Sequence, residues 1–483
     1  MADATHNSPV SPIKHYVNGT FLPPGPDEHG FPLVDPVTGR IRGIVPEASR
    51  ETVDAAVQAA RAAVQAAKTA DPEDRAALLR RIAAGIQARF DEFVDAEVAD
   101  TGKPRELAAT VDIPRAIANF RAYADLLYGR PERAYTSQVP RALNYTVRRP
   151  LGVVAIISPW NLPLLLLTWK VAPALAAGNA VIAKPSEQTP STATLLAEVI
   201  HEAGLPAGTF NLVHGHGAGA AGEFLTAHPG VDAIAFTGDS ATGSAIMRSA
   251  APHVTPISFE LGGKNPALVF ADADFEQAVD GTIRSAFTHS GQICLCTERV
   301  YVQREIFTDF TQALAARAGK ITGYGPMISA EHRDKVLSYY RLAVAEGATV
   351  LAGGGTPVFN DERDGGFHVQ PTVLIGLPQD ARAVQEEIFG PVCHVAPFDT
   401  EDEAITLAND SPYGLAATVW TRDLAGAHRV APRIETGIVW VNCWNLRDLR
   451  TPFGGVKASG IGREGGEYSL DFFSDPVNVC IQF

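Results

Sequence analysis

Short apolar runs separated by helix-like segments govern what this chain can fold into. From Gly152 onward the runs are Val153–Ile157, Ala180–Ala183, Phe210–Val213, Ala233–Phe236 and Ala267–Phe270. They are continuous rather than alternating, as strands buried on both faces require. Ser191 to Ala203 reads as an amphipathic helix between two of them. Parallel neighbours need a long crossover, so strand, helix, strand in this order predicts βαβ units around a mostly parallel sheet. A second stretch of the same type runs from Arg299 to Val441. The expectation is an α/β protein of two lobes with no clean linker between them. A chain this long has room for roughly two to four domains and can bury its cores without disulfides or structural metal.

The flanking segments differ. The first 45 residues, rich in Pro and Gly, read as irregular. Two helices are predicted next. One covers Thr52 to Ala70. The other begins at Asp71-Pro72, a good cap and first-turn pair, and aligns Leu78, Leu79, Ile82, Ile86, Phe90 and Phe93 on one face. It is expected to stop before Thr101-Gly102-Lys103-Pro104. Asn144 to Arg148 and Val477 to Ile481 alternate like exposed strands. Such strands tend to be covered by partners, which points to an oligomer. No internal repeat or low-complexity linker is visible.

Composition narrows the function classes. A formal charge of −14 argues against nonspecific nucleic-acid binding. The segment Met1 to Ile13 is polar and shows no secretory signal. The most apolar stretch, Leu162 to Gly178, is short for a membrane span and is interrupted by Lys170, Pro163 and Pro173. The five cysteines, at 294, 296, 393, 443 and 480, have no framework spacing. A reducing, cytoplasmic compartment is expected. Cys294-Leu-Cys296 has no second ligand cluster, so no metal site is expected.

Five stretches carry candidate chemistry. Ser290-Gly-Gln-Ile-Cys294 reads as a tight loop whose cysteine is either a buried structural thiol or an exposed nucleophile. Glu260, before Gly262-Gly263-Lys264, is either a solvated surface group or a general base raised by partial burial. Asn161, in Ser158-Pro-Trp-Asn161, ends an apolar run where α/β sheets bind ligands. Its amide could donate to an oxyanion or stabilise a turn. Lys184-Pro-Ser-Glu187 could bind ribose hydroxyls, or Ser186 could simply cap a helix. Phe236-Thr-Gly238-Asp239 leads from a strand into a Gly-rich turn, a plausible phosphate-side loop that lacks the GxGxxG spacing.

The order and spacing of these five stretches resemble the aldehyde dehydrogenase family from about Tyr16 onward. Glu387-Ile-Phe389-Gly-Pro-Val, Pro452-Phe-Gly-Gly and Gly460-Ile-Gly-Arg-Glu464 match further family motifs. The resemblance implies two Rossmann-like parallel-sheet domains plus a small β oligomerisation element. Residues 1–131 and 151–259 would bind NAD, 260–469 would be catalytic, and 132–150 with 470–483 would build a homodimer or homotetramer. It makes Cys294 the nucleophile and Glu260 the general base. Asn161 and the Cys294 main-chain N–H become the oxyanion hole, and Glu464 assists proton transfer. Lys184 and Glu187 would hold the adenosine ribose, and Glu387 the nicotinamide ribose. Ile157, Trp160, Gly238, Asp239, Leu261 and Phe389 would line the cofactor groove. A carboxylate at Glu187 suits free ribose hydroxyls and would repel a 2′-phosphate, which favours NAD over NADP. Cys296 is expected to be a neutral neighbour, and His289 to have a packing or surface role.

Two arginine-bearing segments narrow the substrate. They are Asp112-Ile-Pro-Arg115 and Asn442-Cys-Trp-Asn-Leu-Arg447-Asp448-Leu-Arg450. In the family both regions border the substrate tunnel, where two arginines would suit a carboxylate. Surface salt bridges to Asp112 and Asp448 are the alternative. These segments, with Thr297-Glu298-Arg299-Val-Tyr-Val302 and the ending Asn478-Val-Cys-Ile481, resemble the muconic semialdehyde branch. That branch oxidises 2-aminomuconate or 2-hydroxymuconate 6-semialdehyde. One departure is Lys320-Ile-Thr-Gly-Tyr-Gly-Pro326, shorter than the family's usual loop and expected to affect the surface only. The rival readings are a broad-specificity or biosynthetic aldehyde dehydrogenase, a CoA-acylating enzyme, a non-catalytic binding protein, and a cysteine hydrolase pairing Cys294 with His289.

Overall fold

A computed structural model describes residues 12–23, 29–67 and 71–483. Two large sheets organise it. In the first, the parallel strands Phe210–Leu212, Ala180–Lys184, Val153–Ile157, Ala233–Thr237 and Ile257–Glu260 lie side by side in that order. Among these five the chain starts at Val153–Ile157, winds out to Phe210–Leu212, then returns and winds the other way to Ile257–Glu260. That is the doubly wound order, and its switch point falls between Val153–Ile157 and Ala233–Thr237. Helices cover both faces. Pro72–Ala88, Ile113–Gly129, Pro163–Ala176 and Ser191–Glu202 build one apolar layer, and Arg50–Ala67 and Ser240–Ala250 help build the other. Val154, Ile156, Val181 and Ile234 are fully buried. Each such side chain contributes about 1.5–3 kcal/mol relative to exposure. Burial on both faces is why these strands read as unbroken apolar runs.

The second sheet runs in the order Thr349–Ala352, Thr372–Ile375, Val392–Phe398, Thr297–Gln303, Asn265–Val269, Ala416–Trp420, Ile438–Val441. All neighbours are parallel except the first pair. The fold class is therefore the expected one. Both predicted exposed strands form, and they pair with each other. Ser474–Gln482 lies antiparallel to Arg141–Pro150, which also pairs with Ala134–Gln138.

Several expectations are corrected. The first 45 residues are not irregular where described. His15–Val17 and Thr20–Leu22 extend the first sheet, and Gly30–Val34 pairs with Ile41–Pro46. The helix predicted to begin at Thr52 is Arg50–Ala67, and its predicted tail at 68–70 lies outside the described residues, as do residues 1–11 of the polar N-terminal segment. Asp71 does cap the next helix, accepting from Glu73 N at 2.9 Å. That helix ends at Ala88. Arg89 leaves helical geometry (φ −107°, ψ 27°) and a separate helix, Phe90–Thr101, follows. Ser186 is not a helix cap. The helix starts at Ser191, and the Ser186 hydroxyl accepts from Gln188 N at 3.3 Å in a turn. Gly460–Ile461, inside the span read as catalytic, is an edge strand of the first sheet and pairs with Ile257–Glu260.

Candidate active site

At the switch point the strand ends open into a cleft of about 790 Å³. Ile157, Trp160 and Asn161 reach it from the end of Val153–Ile157, and Gly238 and Asp239 from the end of Ala233–Thr237. Lys184, Glu187, Leu261, Glu387, Phe389 and Cys294 also line it. Asp239 caps the helix Ser240–Ala250 through Thr242 N (2.9 Å), and both residues of this helix N-terminus line the cleft. Buried Lys184 lies 3.8 Å from Glu187, whose carboxylate stays partly open to solvent. At the opposite end Glu387 accepts from Gly263 N at 2.8 Å, and burial pushes its carboxyl up to about 7. A Cβ on Gly262 would fall 2.1 Å from that carboxylate, so a side chain there would have to displace Glu387.

The Cys294 loop is anchored from several sides. His289 and Ser290 adopt left-handed backbone (φ 50° and 55°) before Gly291. Cys296 N closes a turn onto Ile293 O at 2.8 Å. Asn265 donates to the carbonyls of Cys294 (2.7 Å) and Cys296 (2.8 Å). Asn161 Nδ2 donates to Gln292 O at 2.8 Å, two residues before the cysteine. The short segment at 320–326 is not remote from this chemistry, contrary to expectation. Ser290 Oγ donates to Gly325 O (2.6 Å) and Gln292 Nε2 to Pro326 O (3.0 Å). His289 is buried beside Lys103, and both keep its imidazole neutral, with a pKa well below the usual range. Burial first, then Glu260 and Glu387, push the Cys294 thiol up to about 12, while Arg447 and its own main-chain N–H pull it down.

Near Cys294 lies a cluster of charged side chains. Glu260 ends its strand fully enclosed, and both carboxylate oxygens lack a hydrogen-bond partner. Burial, then the nearby Glu464 charge, raise its pKa well above the carboxylate range. Lys170, Arg447 and Arg463 oppose that shift. Glu464 is held by a buried ion pair with Lys170. Arg115 and Arg447 both sit 5.5 Å from the Trp169 ring, and Arg447 lies 3.9 Å over Phe453. Burial lowers both guanidinium pKa values, that of Arg447 to about 10. The salt-bridge alternative fails on geometry. Asp112 pairs with Lys103 and Asp448 with Arg450. Among the described residues, neither arginine has a carboxylate within ion-pair distance.

Sequence reasoning missed Lys170 as a partner for Glu464, although a lysine inside an apolar helix was the signal. Trp169 and Asn265 gave no signal of their own. Removing one member of a buried pair strands the other charge, at a cost of about 3–5 kcal/mol. Lys170→Ala is therefore expected to lower the thermal unfolding temperature, and Lys170→Met combined with Glu464→Leu to recover most of the loss.

No helix among the described residues is long and apolar enough to cross a membrane. Residues 23–479 match the family described as "Aldehyde dehydrogenase family". The chain is 58% identical to the 2-aminomuconic 6-semialdehyde dehydrogenase of a Pseudomonas species, over 97% of this chain and 98% of that protein. It is 55% identical to the 2-hydroxymuconic semialdehyde dehydrogenase of Pseudomonas sp. (strain CF600), over 97% and 99%. Its structure is similar to betaine aldehyde dehydrogenase from Staphylococcus aureus in complex with NAD+. The TM-score is 0.94 at 38% identity, covering 97% of this chain and 94% of that one. The cysteine loop, the enclosed glutamate and the cleft at the sheet's switch point thus sit in a chain that belongs to the aldehyde dehydrogenase family.

Proposed function

We propose that this enzyme uses NAD to oxidise a carboxylate-bearing semialdehyde, 2-aminomuconate or 2-hydroxymuconate 6-semialdehyde, to the dicarboxylic acid. The observation that carries the substrate is the pair Arg115 and Arg447, converging on Trp169 with no carboxylate of their own. The names of the two Pseudomonas relatives support the same substrate.

The cleft's groups fit a dinucleotide. Lys184 and the part-open Glu187 suit a ribose diol, and the helix N-terminus at Asp239 suits a phosphate-side contact. A Cβ on Gly238 would lie 2.3 Å from the Phe236 ring, which keeps the floor of the cleft low. Trp160, Phe389 and Glu387 flank the end nearest Cys294. When bound, NAD supplies the two-electron oxidation that converts a Cys294 thiohemiacetal to a thioester. The chain's own residues do the rest. The Cys294 thiolate adds to the aldehyde carbon. The Asn161 amide and the Cys294 N–H donate to the resulting oxyanion, each donor contributing about 3 kcal/mol. Glu260 takes a proton from water as its oxygen bonds to the thioester carbon, the C–S bond breaks, and the acid and the Cys294 thiolate are released. Glu464, fixed by Lys170, passes the proton onward.

Residues 1–131 and 151–259 would then serve the cofactor, with the edge strand Gly460–Ile461 added, and 260–469 the chemistry. The exposed strands Ala134–Gln138 and Ser474–Gln482 offer unpaired edges. Together with 132–150 and 470–483 generally they would form the interface of a homodimer or homotetramer, which sedimentation would measure.

The test is NADH formation from each semialdehyde and from a neutral aldehyde. Losing a hydrogen bond to a charged group costs about 1.5–3 kcal/mol, or roughly 10- to 100-fold. Arg115→Ala is expected to raise KM for the semialdehydes by that factor and to change the neutral substrate by less than about twofold. Equal losses on acidic and neutral aldehydes would sink the carboxylate assignment. Arg447→Ala should depress both, because Arg447 also acts on Cys294 and Glu260.

A further inference from the structure

Glu298 follows the Cys294 loop, on strand Thr297–Gln303, and is 5% exposed. Its carboxylate forms an ion pair with the fully enclosed Lys264. It also accepts main-chain N–H groups from Ile388 (3.1 Å) and Phe389 (2.8 Å). The peptide it grips is unusual. Phe389 is a bulky non-glycine residue with φ 60°, a conformation that L side chains disfavour. Such geometry persists only where the surroundings hold it. The carbonyl side is held as well. His332 Nε2 donates to Phe389 O (2.7 Å), and Lys335 to Glu387 O (3.2 Å).

These contacts form a closed circuit. Gly263, the neighbour of Lys264, donates to the Glu387 carboxylate, and Glu387 leads into the peptide that Glu298 holds. The circuit ends on two groups that face the cleft, the Glu387 carboxylate and the Phe389 ring. That ring packs 5.4 Å from Trp160. The site calls for an acceptor-only group, because one ammonium and two N–H groups converge on it. A glutamine would offer a single oxygen and set its own N–H₂ against another donor.

We propose that Glu298 is a positioning residue. Through the N–H groups of Ile388 and Phe389 it fixes the orientation of Glu387 and Phe389 toward the cofactor, with Lys264 neutralising its buried charge. The inference rests on the reading of the cleft as an NAD site. It also gives a task to the Thr297-Glu298 motif, which the chemistry at Cys294 leaves unused.

The test compares Glu298→Gln and the double variant Lys264→Met, Glu298→Met with the parent. The double variant removes both charges together, which buried pairs often tolerate. Two quantities are measured: the NAD dissociation constant by titration calorimetry, and hydrolysis of p-nitrophenyl acetate without NAD as a report on Cys294. Both variants are expected to bind NAD about tenfold more weakly, the size of one lost charge-assisted hydrogen bond, with ester hydrolysis within about twofold. An unchanged NAD dissociation constant in the variants overturns the proposal. So does a parallel loss of NAD binding and ester hydrolysis, which means that Glu298 merely holds the Cys294 loop together. A parent protein that binds no NAD overturns the reading of the cleft itself, and this inference with it.

Discussion

Cys294→Ala is expected to abolish aldehyde oxidation, by at least about 10⁴-fold, while NAD binding stays within about twofold of the parent. The size follows from the absence of a substitute. Cys296 is buried, its thiol donates to Thr288 O at 3.8 Å, and it does not line the cleft. His289 is enclosed and held neutral. NADH formation and NAD titration on the same preparation check both halves of the expectation. Activity above a few per cent of the parent would move the nucleophile elsewhere. The thiol also sets a pH dependence. Burial and two carboxylates raise its pKa to about 12, so the free protein carries little thiolate near neutrality. Alkylation of Cys294 by iodoacetamide should therefore accelerate about tenfold per pH unit from pH 6 to 9.

Glu260→Gln should separate the two halves of the reaction. A general base contributes about 10²- to 10⁴-fold, so steady-state turnover should fall by that factor. Formation of the thioester does not need this base for water, so one NADH per site should still appear in the first turnover. Rapid-mixing absorbance measures the burst and the steady rate together. If burst and steady rate vanish equally, Glu260 acts before the thioester rather than after it. The raised pKa of Glu260 gives the sign with pH. Only its carboxylate accepts a proton from water, so the parent's deacylation rate should climb with pH beyond the ordinary carboxylate range, and that limb should disappear in Glu260→Gln. Stability runs the other way. A carboxyl that holds its proton more tightly folded than unfolded loses stability as pH rises from its unfolded to its folded pKa.

The parallel sheets were legible in the sequence because strands buried on both faces leave continuous apolar runs, as at Val153–Ile157 and Ala233–Thr237. The break at Arg89 was not. Ile86, Phe90 and Phe93 keep helical spacing across it, and only the backbone angles of one residue change. His15–Val17 and Thr20–Leu22 are only three residues long, and Gly30, Pro32, Gly43 and Pro46 break the alternation in the other N-terminal pair. In the site, groups that meet the cleft from strand ends were readable from local motifs. Groups that act on those groups were not. Glu298 finds Lys264 34 residues away and Ile388 90 residues away, and no local pattern encodes such pairings.

The small strand Gly460–Ile461 has a consequence for how the molecule is made. It pairs with Phe259 and Glu260, and Ser459 O receives the N–H of Leu261. The backbone that aims Glu260 is therefore completed by residues about 200 positions later, a contact of high sequence separation. On a ribosome, the residues through Ile461 must emerge before this edge can close. A nascent chain halted before Gly460 would hold the other strands of the first sheet and still lack a fixed Glu260. Competence to release the acid should then not appear before Ile461 has emerged.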